Sequence, residues 1–70
     1  MNRELVSSSN LSAAGYDALS QTLEVEFKNG TIYQYYNVPD ALYDGFRHAA
    51  SKGQFLNMYI KNAYPYSRVG

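Results

Sequence analysis

The sequence contains no cysteine, no tryptophan and a single histidine, His48. Without cysteine the chain has no disulfide, no thiolate zinc site and no thiol nucleophile. One imidazole is too few for a histidine-rich metal site. We therefore expect neither a metal ion nor a cofactor in this protein.

The protein also has no net charge, because six basic residues balance six acidic ones. This balance excludes a polybasic binder that neutralises phosphates over its whole surface. No apolar run reaches the roughly 18 residues of a membrane span, and the N-terminus lacks the apolar segment of a signal peptide. We expect one cytoplasmic domain, residues 1–70, with no membrane partner.

Aromatic side chains are abundant, with eight tyrosines and three phenylalanines among 70 residues. In so short a chain, large rings supply buried area that a small core otherwise lacks. The alternative is that some tyrosines form a ligand or contact surface. Because self-association also supports small chains, we expect a homo-oligomer, a dimer or higher.

Three strands are predicted in the first half of the chain. Residues 11–17 form a weak strand, and residues 22–27 alternate apolar and acidic side chains, which is typical of a half-buried strand. Asn29-Gly30 predicts a hairpin turn into a third strand, residues 31–36.

The length of this turn decides which face of the sheet Tyr33 and Tyr35 occupy. A two-residue loop pairs Lys28 with Thr31 and places both tyrosines on the face of Glu24 and Glu26. A three-residue loop, with Gly30 as a left-handed bulge, places them with Leu23, Val25 and Phe27. We favour the bulged register because it gathers the large apolar side chains on one face.

Two helices follow the strands. Pro39 and Asp40 are typical of a helix start, and we predict a first helix over residues 39–50. Ser51 and Gln54 match a capping box for a second helix, from Lys52 to about Asn62. The sequence thus predicts an α+β fold, a three-stranded antiparallel β-meander followed by two α-helices packed on one face. The predicted core consists of Leu23, Val25, Phe27, Leu42, Phe46, Phe55 and Ile60.

The charges are unevenly distributed. Residues 1–44 carry two basic and six acidic residues, whereas residues 45–70 carry four basic residues and no acidic one. Cations interleaved with tyrosines can hold phosphates while rings stack on bases, although four cations can equally serve only to solvate helix faces. The candidate ligand-binding residues are Tyr33, Tyr35, Arg47, Lys52, Tyr59, Lys61, Tyr64, Tyr66 and Arg68. The polar run Ser8, Ser9 and Asn10 offers additional donors, or caps its own backbone.

Catalytic patterns are weak in this sequence. Asp44 and His48 are spaced to touch on one helix face, but no nucleophile-elbow motif brings a serine to them. Glu24 and Glu26 share a strand face, which commonly carries exposed glutamates. We therefore predict a protein that is not an enzyme.

Many of these residues resemble the KTSC domain, which is named for its place at the C-terminus of some lysyl-tRNA synthetases. The resemblance covers nearly the whole chain and is carried by Ser8-Ser9-Asn10, Gly15-Tyr16-Asp17, Leu23-x-Val25-x-Phe27, Gly30, Tyr33-x-Tyr35, Val38-Pro39, Tyr43, Ala49, Ser51-x-Gly53, Phe55, Asn57, Ile60-Lys61 and Tyr64. It implies a stand-alone bacterial or phage domain and, from the synthetase context, RNA binding. Lys61 stands where the family commonly has arginine, and Gln34 where a basic residue often occurs.

Three functions are compatible with these observations. The first is a non-catalytic module that binds RNA or a nucleotide-type phosphate ligand through the basic, tyrosine-rich C-terminal half. The second is a phage-type homo-oligomer that sequesters a soluble nucleotide signal, since one small nucleotide needs few cations. The third is a protein-interaction module without a nucleotide.

Overall fold

The fold is one antiparallel sheet of five strands, in the order of the sequence, with two short helices. The computed structural model describes residues 3–6, 8 and 10–70. The elements are β1 (Glu4–Leu5), β2 (Leu11–Asp17), β3 (Thr22–Phe27), β4 (Ile32–Tyr35), α1 (Asp40–His48), α2 (Lys52–Phe55) and β5 (Tyr66–Arg68), and α2 continues directly into a π-helical turn, Leu56–Ile60. The predicted α+β class is confirmed, but the three-stranded meander is wrong because the sheet has five strands.

The two additional strands lie at the edges of the sheet. β1 pairs with β2 through Leu5 and Ala13, and β5 pairs with β4 through Tyr66 and Tyr35. β1 has two residues and β5 has three, all of them exposed. Such strands have no buried face, so they lack the alternation that reveals a strand in a sequence.

The hairpin between β3 and β4 has the bulged register that we predicted. Val25 is opposite Tyr33, and Leu23 is opposite Tyr35. The Phe27 amide donates to the Thr31 carbonyl at 2.8 Å, and Gly30 has a φ of 92°. Glycine adopts this left-handed conformation without steric strain.

Both helices cover the sheet face that carries these apolar residues and tyrosines. Phe46 from α1, together with Leu56 and Ile60 from the π turn, packs with Leu23 and Val25. Four of the seven predicted core residues are fully buried, and Phe27, Leu42 and Phe55 pack half-buried against them. The core also includes residues outside that prediction, namely Leu11, Ala14, Tyr35, Val38 and Leu56.

The helices are shorter than predicted. α1 ends at His48 because Ala49 is extended, with a ψ of 140°. The Ser51 hydroxyl accepts from the Gln54 amide at 3.3 Å, which confirms the predicted N-cap of α2. None of the helices in the described part of the chain is long and apolar enough to cross a membrane.

The opposite face of the sheet is polar. Arg3 bridges two carboxylates, with Nε 3.2 Å from Glu24 Oε2 and Nη1 3.3 Å from Glu26 Oε1. Gln34 Nε2 donates to Glu24 Oε1 at 2.9 Å. The glutamates of β3 therefore have partners on this face, away from the helices.

Candidate functional site

Aromatic rings from three neighbouring strands meet beside β5. The Tyr66 ring lies 5.8 Å from the rings of both Tyr33 and Tyr35, and Phe27 packs edge-on against Tyr33 at 5.7 Å. Tyr35 is buried, Tyr33 is half-buried and Tyr66 is 57% exposed. Three of the candidate ligand-binding residues, Tyr33, Tyr35 and Tyr66, therefore lie together, and the Tyr66 ring faces solvent.

Two adjoining clefts open over this cluster. One has a volume of about 250 Å³ and the other about 390 Å³. They share Phe27, Asn29 and Lys61. We refer to the two together as the groove, with a tyrosine end formed by Thr31, Tyr33, Tyr35 and Tyr66 and an amide end formed by Asn10, Lys28 and Asn57.

Two lysines contribute the charge of the groove. Lys61 directly follows the π turn, and its amide donates to the Leu56 carbonyl at 2.8 Å, five residues earlier. Lys28 lies in the β3–β4 turn, where its amide donates to the Asn10 carbonyl at 2.9 Å. Within residues 3–6, 8 and 10–70, neither lysine makes a salt bridge, and no acidic residue lines the groove. The groove is therefore cationic although the protein has no net charge.

Burial affects the protonation of the Tyr35 hydroxyl at the tyrosine end of the groove. It raises the pKa of Tyr35 above its usual value, and the neighbouring Tyr33 and Tyr66 hydroxyls raise it further. The Tyr35 hydroxyl therefore stays protonated at neutral pH, and this end of the groove offers aromatic surface rather than negative charge.

The predicted donors near the N-terminus have different positions. The Ser8 hydroxyl accepts from the backbone amides of Asn10 at 3.3 Å and Leu11 at 3.4 Å, so its contacts are with its own loop. Asn10 lines the amide end of the groove. Ser9 lies outside the described residues.

The four cations of residues 45–70 do not form one surface. Arg47 and Lys52, together with His48, line a third cleft of about 340 Å³ between β1 and α1. This basic cleft also contains Glu4, and it shares no lining residue with the groove. Of the four cations, Arg47 and Lys52 therefore line a different cleft from Lys61, and Arg68 lines neither.

The remaining predicted residues lie outside the lining of the groove. Tyr59 packs on the Phe55 ring at 4.8 Å, and Tyr64 packs half-buried against the core. Arg68 is opposite Tyr33 in the sheet, and its Nε donates to the Gly70 carbonyl at 2.9 Å. These contacts give Tyr59 and Tyr64 structural roles.

Sequence reasoning missed Lys28, Asn29 and Asn57 as groove residues. Lys28 belongs to the acidic half of the sequence, but in the fold it lines the same cleft as Lys61. The predicted hairpin is the one feature of the sequence that could have indicated Lys28 and Asn29. Its turn places these residues beside Phe27, at the end of the apolar face.

The candidate acid–base residues form an exposed surface contact. His48 Nδ1 lies 3.6 Å from Asp44 Oδ1 and 2.8 Å from the Asp44 carbonyl oxygen, and both side chains are mostly exposed. In the described ranges, no three His, Asp or Glu side chains are grouped as they would be around a metal ion.

Comparison with known proteins identifies the family. The KTSC domain profile matches residues 7–64. The crystal structure of a KTSC domain protein from Yersinia pestis has a TM-score of 0.92 to this chain at 37% identity, covering 99% of this chain and 97% of that one. The chain belongs to the KTSC domain family, as its sequence pattern predicted.

Relatives occur both as small proteins and within larger ones. An uncharacterized protein from Stutzerimonas stutzeri is 39% identical in an alignment 70 positions long that covers 99% of each chain. A lysine–tRNA ligase from Nostoc sp. is 36% identical over 59 residues, 84% of this chain. The chain spans only about 10% of the length of the ligases that it matches. It is therefore a small KTSC module, related to one segment of those enzymes.

Proposed function

We propose that this protein is a non-catalytic module that binds RNA or another nucleotide-type ligand in the groove. The observation that carries the proposal is the composition of the groove, with an exposed ring at one end, two lysines without salt bridges in the described structure, and no acidic residue in its described lining. Rings stack on bases, and lysines attract phosphates.

The relatives give the proposal a second support. Lysine–tRNA ligases, by name, join lysine to a tRNA, and the segment related to this chain belongs to those RNA-handling proteins. The balanced net charge favours a short contact with few phosphates over a long polyanion track.

Titration of paired double variants tests the proposal. We expect Lys28→Ala with Lys61→Ala to weaken binding of oligouridylate and of adenosine monophosphate by about tenfold or more, because each lost phosphate contact removes attraction. Arg47→Ala with Lys52→Ala is the matched control, since it makes the same change in net charge at the basic cleft. We expect the control to change affinity by less than about threefold. Chemical-shift titrations give the affinities, and thermal melting checks the fold.

Three outcomes would contradict this proposal. If wild type binds neither probe up to millimolar concentration, a nucleotide function is excluded. Equal losses in both double variants would indicate attraction by overall charge alone, and a larger loss in the control would move the site to the basic cleft. The salt dependence of binding then separates RNA from a small nucleotide, because single-stranded RNA gives a slope of about −0.7 per phosphate contacted.

A further inference from the structure

The orientation of the Asn29 amide is fixed by its neighbours. Asn29 Oδ1 accepts from the Thr31 backbone amide at 3.0 Å and from Thr31 Oγ1 at 2.7 Å. The backbone amide is always a donor, so the Asn29 atom that faces it must be the oxygen. Rotating the side-chain amide by half a turn would bring two donors together and lose the bond.

The Asn29 amino group is therefore the part that remains available to a ligand. Nδ2 has two N–H donors and no acceptor capacity, and Asn29 lines both clefts of the groove. The bulged turn between β3 and β4 holds its backbone in place, with the Gly30 amide donating to the Phe27 carbonyl at 2.9 Å. Asn29 thus offers fixed donors at the junction of the tyrosine end and the amide end.

The other polar groups here favour the same kind of ligand atom. Lys61 lines both clefts, and Lys28 precedes Asn29 in the turn. Ammonium groups are donors without acceptor capacity. The junction and the adjoining amide end therefore combine two positive charges with an oriented N–H pair. This set of donors matches the oxygens of a phosphate better than a base edge, since base edges mix donors and acceptors.

We infer that Asn29 is the phosphate-selecting residue of the groove, and that a nucleotide binds with its phosphate at Asn29 and its base toward Tyr66. This inference rests on the function proposed above and adds a direction to it. In this orientation the base can stack on the tyrosine rings, and the phosphate lies beside the lysines and the Asn29 N–H donors.

Comparison of a nucleotide with its nucleoside tests the inference. Asn29→Asp keeps the oxygen that accepts from Thr31 and keeps a turn sequence, Asp-Gly, that hairpins favour. It replaces the donors with a negatively charged acceptor. We expect it to weaken adenosine monophosphate binding by about tenfold or more and adenosine binding by less than about twofold. Asn37→Asp is the matched control, because Asn37 is an exposed asparagine outside the groove lining.

A neutral variant separates the lost donor from the added charge. We expect Asn29→Ala to weaken adenosine monophosphate binding by about threefold to tenfold while leaving adenosine binding unchanged. If wild type binds the nucleotide and Asn29→Asp binds it with the same affinity, the inference is overturned and the proposed function still stands. Parallel losses for nucleotide and nucleoside would also overturn it, and no binding by wild type would overturn both.

Discussion

Tyr16 joins the sheet to the start of α1. Its hydroxyl donates to the Val38 carbonyl and lies 2.9 Å from Asp40 Oδ1, and its ring stacks on Tyr43 at 4.3 Å between centroids. The pKa of Tyr16 is raised to about 12, mainly through desolvation by burial and also through the hydrogen bond and negative charge of Asp40. The native state therefore holds this proton more tightly than the unfolded chain does.

This difference predicts a pH dependence of stability above pH 10. Stabilisation by a group with a raised pKa is complete below its unfolded value of about 10 and is lost as the pH rises toward the folded value. We expect Tyr16→Phe to lower the free energy of unfolding by about 1–2 kcal/mol at neutral pH, because it removes the hydroxyl and keeps the stacked ring. The difference between wild type and variant should shrink between pH 10 and about 12. Urea denaturation at several pH values measures it, and a difference that stays constant would show that the hydroxyl contributes no linked proton.

Gly45 and Lys28 show what a residue's sequence context does and does not reveal. A glycine inside a helix indicates close packing at that position, and a Cβ at Gly45 would lie 3.0 Å from the Phe55 ring. For Lys28 the sequence indicates only the hairpin turn that holds it, because its place in the groove depends on which distant residues fold beside that turn. Asn29, Asn57 and Lys28 belong to the candidate site only through contacts between elements, and such contacts leave no local pattern.

At the scale of elements, α1 is fixed to the sheet mainly through Phe46. This side chain is 1% exposed and packs near the rings of Tyr43 and Phe55. We expect Phe46→Ala to lower the free energy of unfolding by about 3–5 kcal/mol, through lost burial and the cavity left behind. That loss is a large share of the stability of so small a domain.

Met58→Ala serves as the control for Phe46→Ala. Met58 is 70% exposed, so we expect its substitution to change stability by less than about 0.5 kcal/mol. Thermal or urea denaturation compares the two variants. A melting temperature within a few degrees of wild type for Phe46→Ala would contradict the packing of α1 described above.

The elements differ in how well their sequence predicts them. β2 and β3 have the predicted bounds. In β3 the buried Leu23 and Val25 alternate with Glu24 and Glu26, which is the pattern that predicted the strand. β5 is exposed along its length, so its residues show no alternation, and it is a strand through its pairing with β4. The spacing of Phe55, Leu56, Tyr59 and Ile60 fits an α-helix, whereas Leu56–Ile60 forms a π-helical turn, so this spacing does not distinguish the two helix types.

At the scale of the whole molecule, apolar side chains remain on the surface. Leu5 is 90% exposed, Leu19 is 99% exposed and Met58 is 70% exposed. With no disulfide to support so short a chain, we expect it to form a homo-oligomer, most simply a dimer. Light scattering at micromolar concentration measures the mass in solution. A monomer at every concentration, with a high melting temperature, would show that the single core suffices.

The order of the strands has a consequence for how the groove is completed. β1 to β4 pair with neighbours in sequence, whereas β4 and β5 are joined through residues 36–65, which include both helices. Loop closure makes such a pairing slower to form than a hairpin. β5 is exposed along its length, and exposed edges are the first parts of a fold to open locally. Because β5 carries Tyr66, we expect the tyrosine end of the groove to form after the β3–β4 hairpin and to open locally more readily than that hairpin.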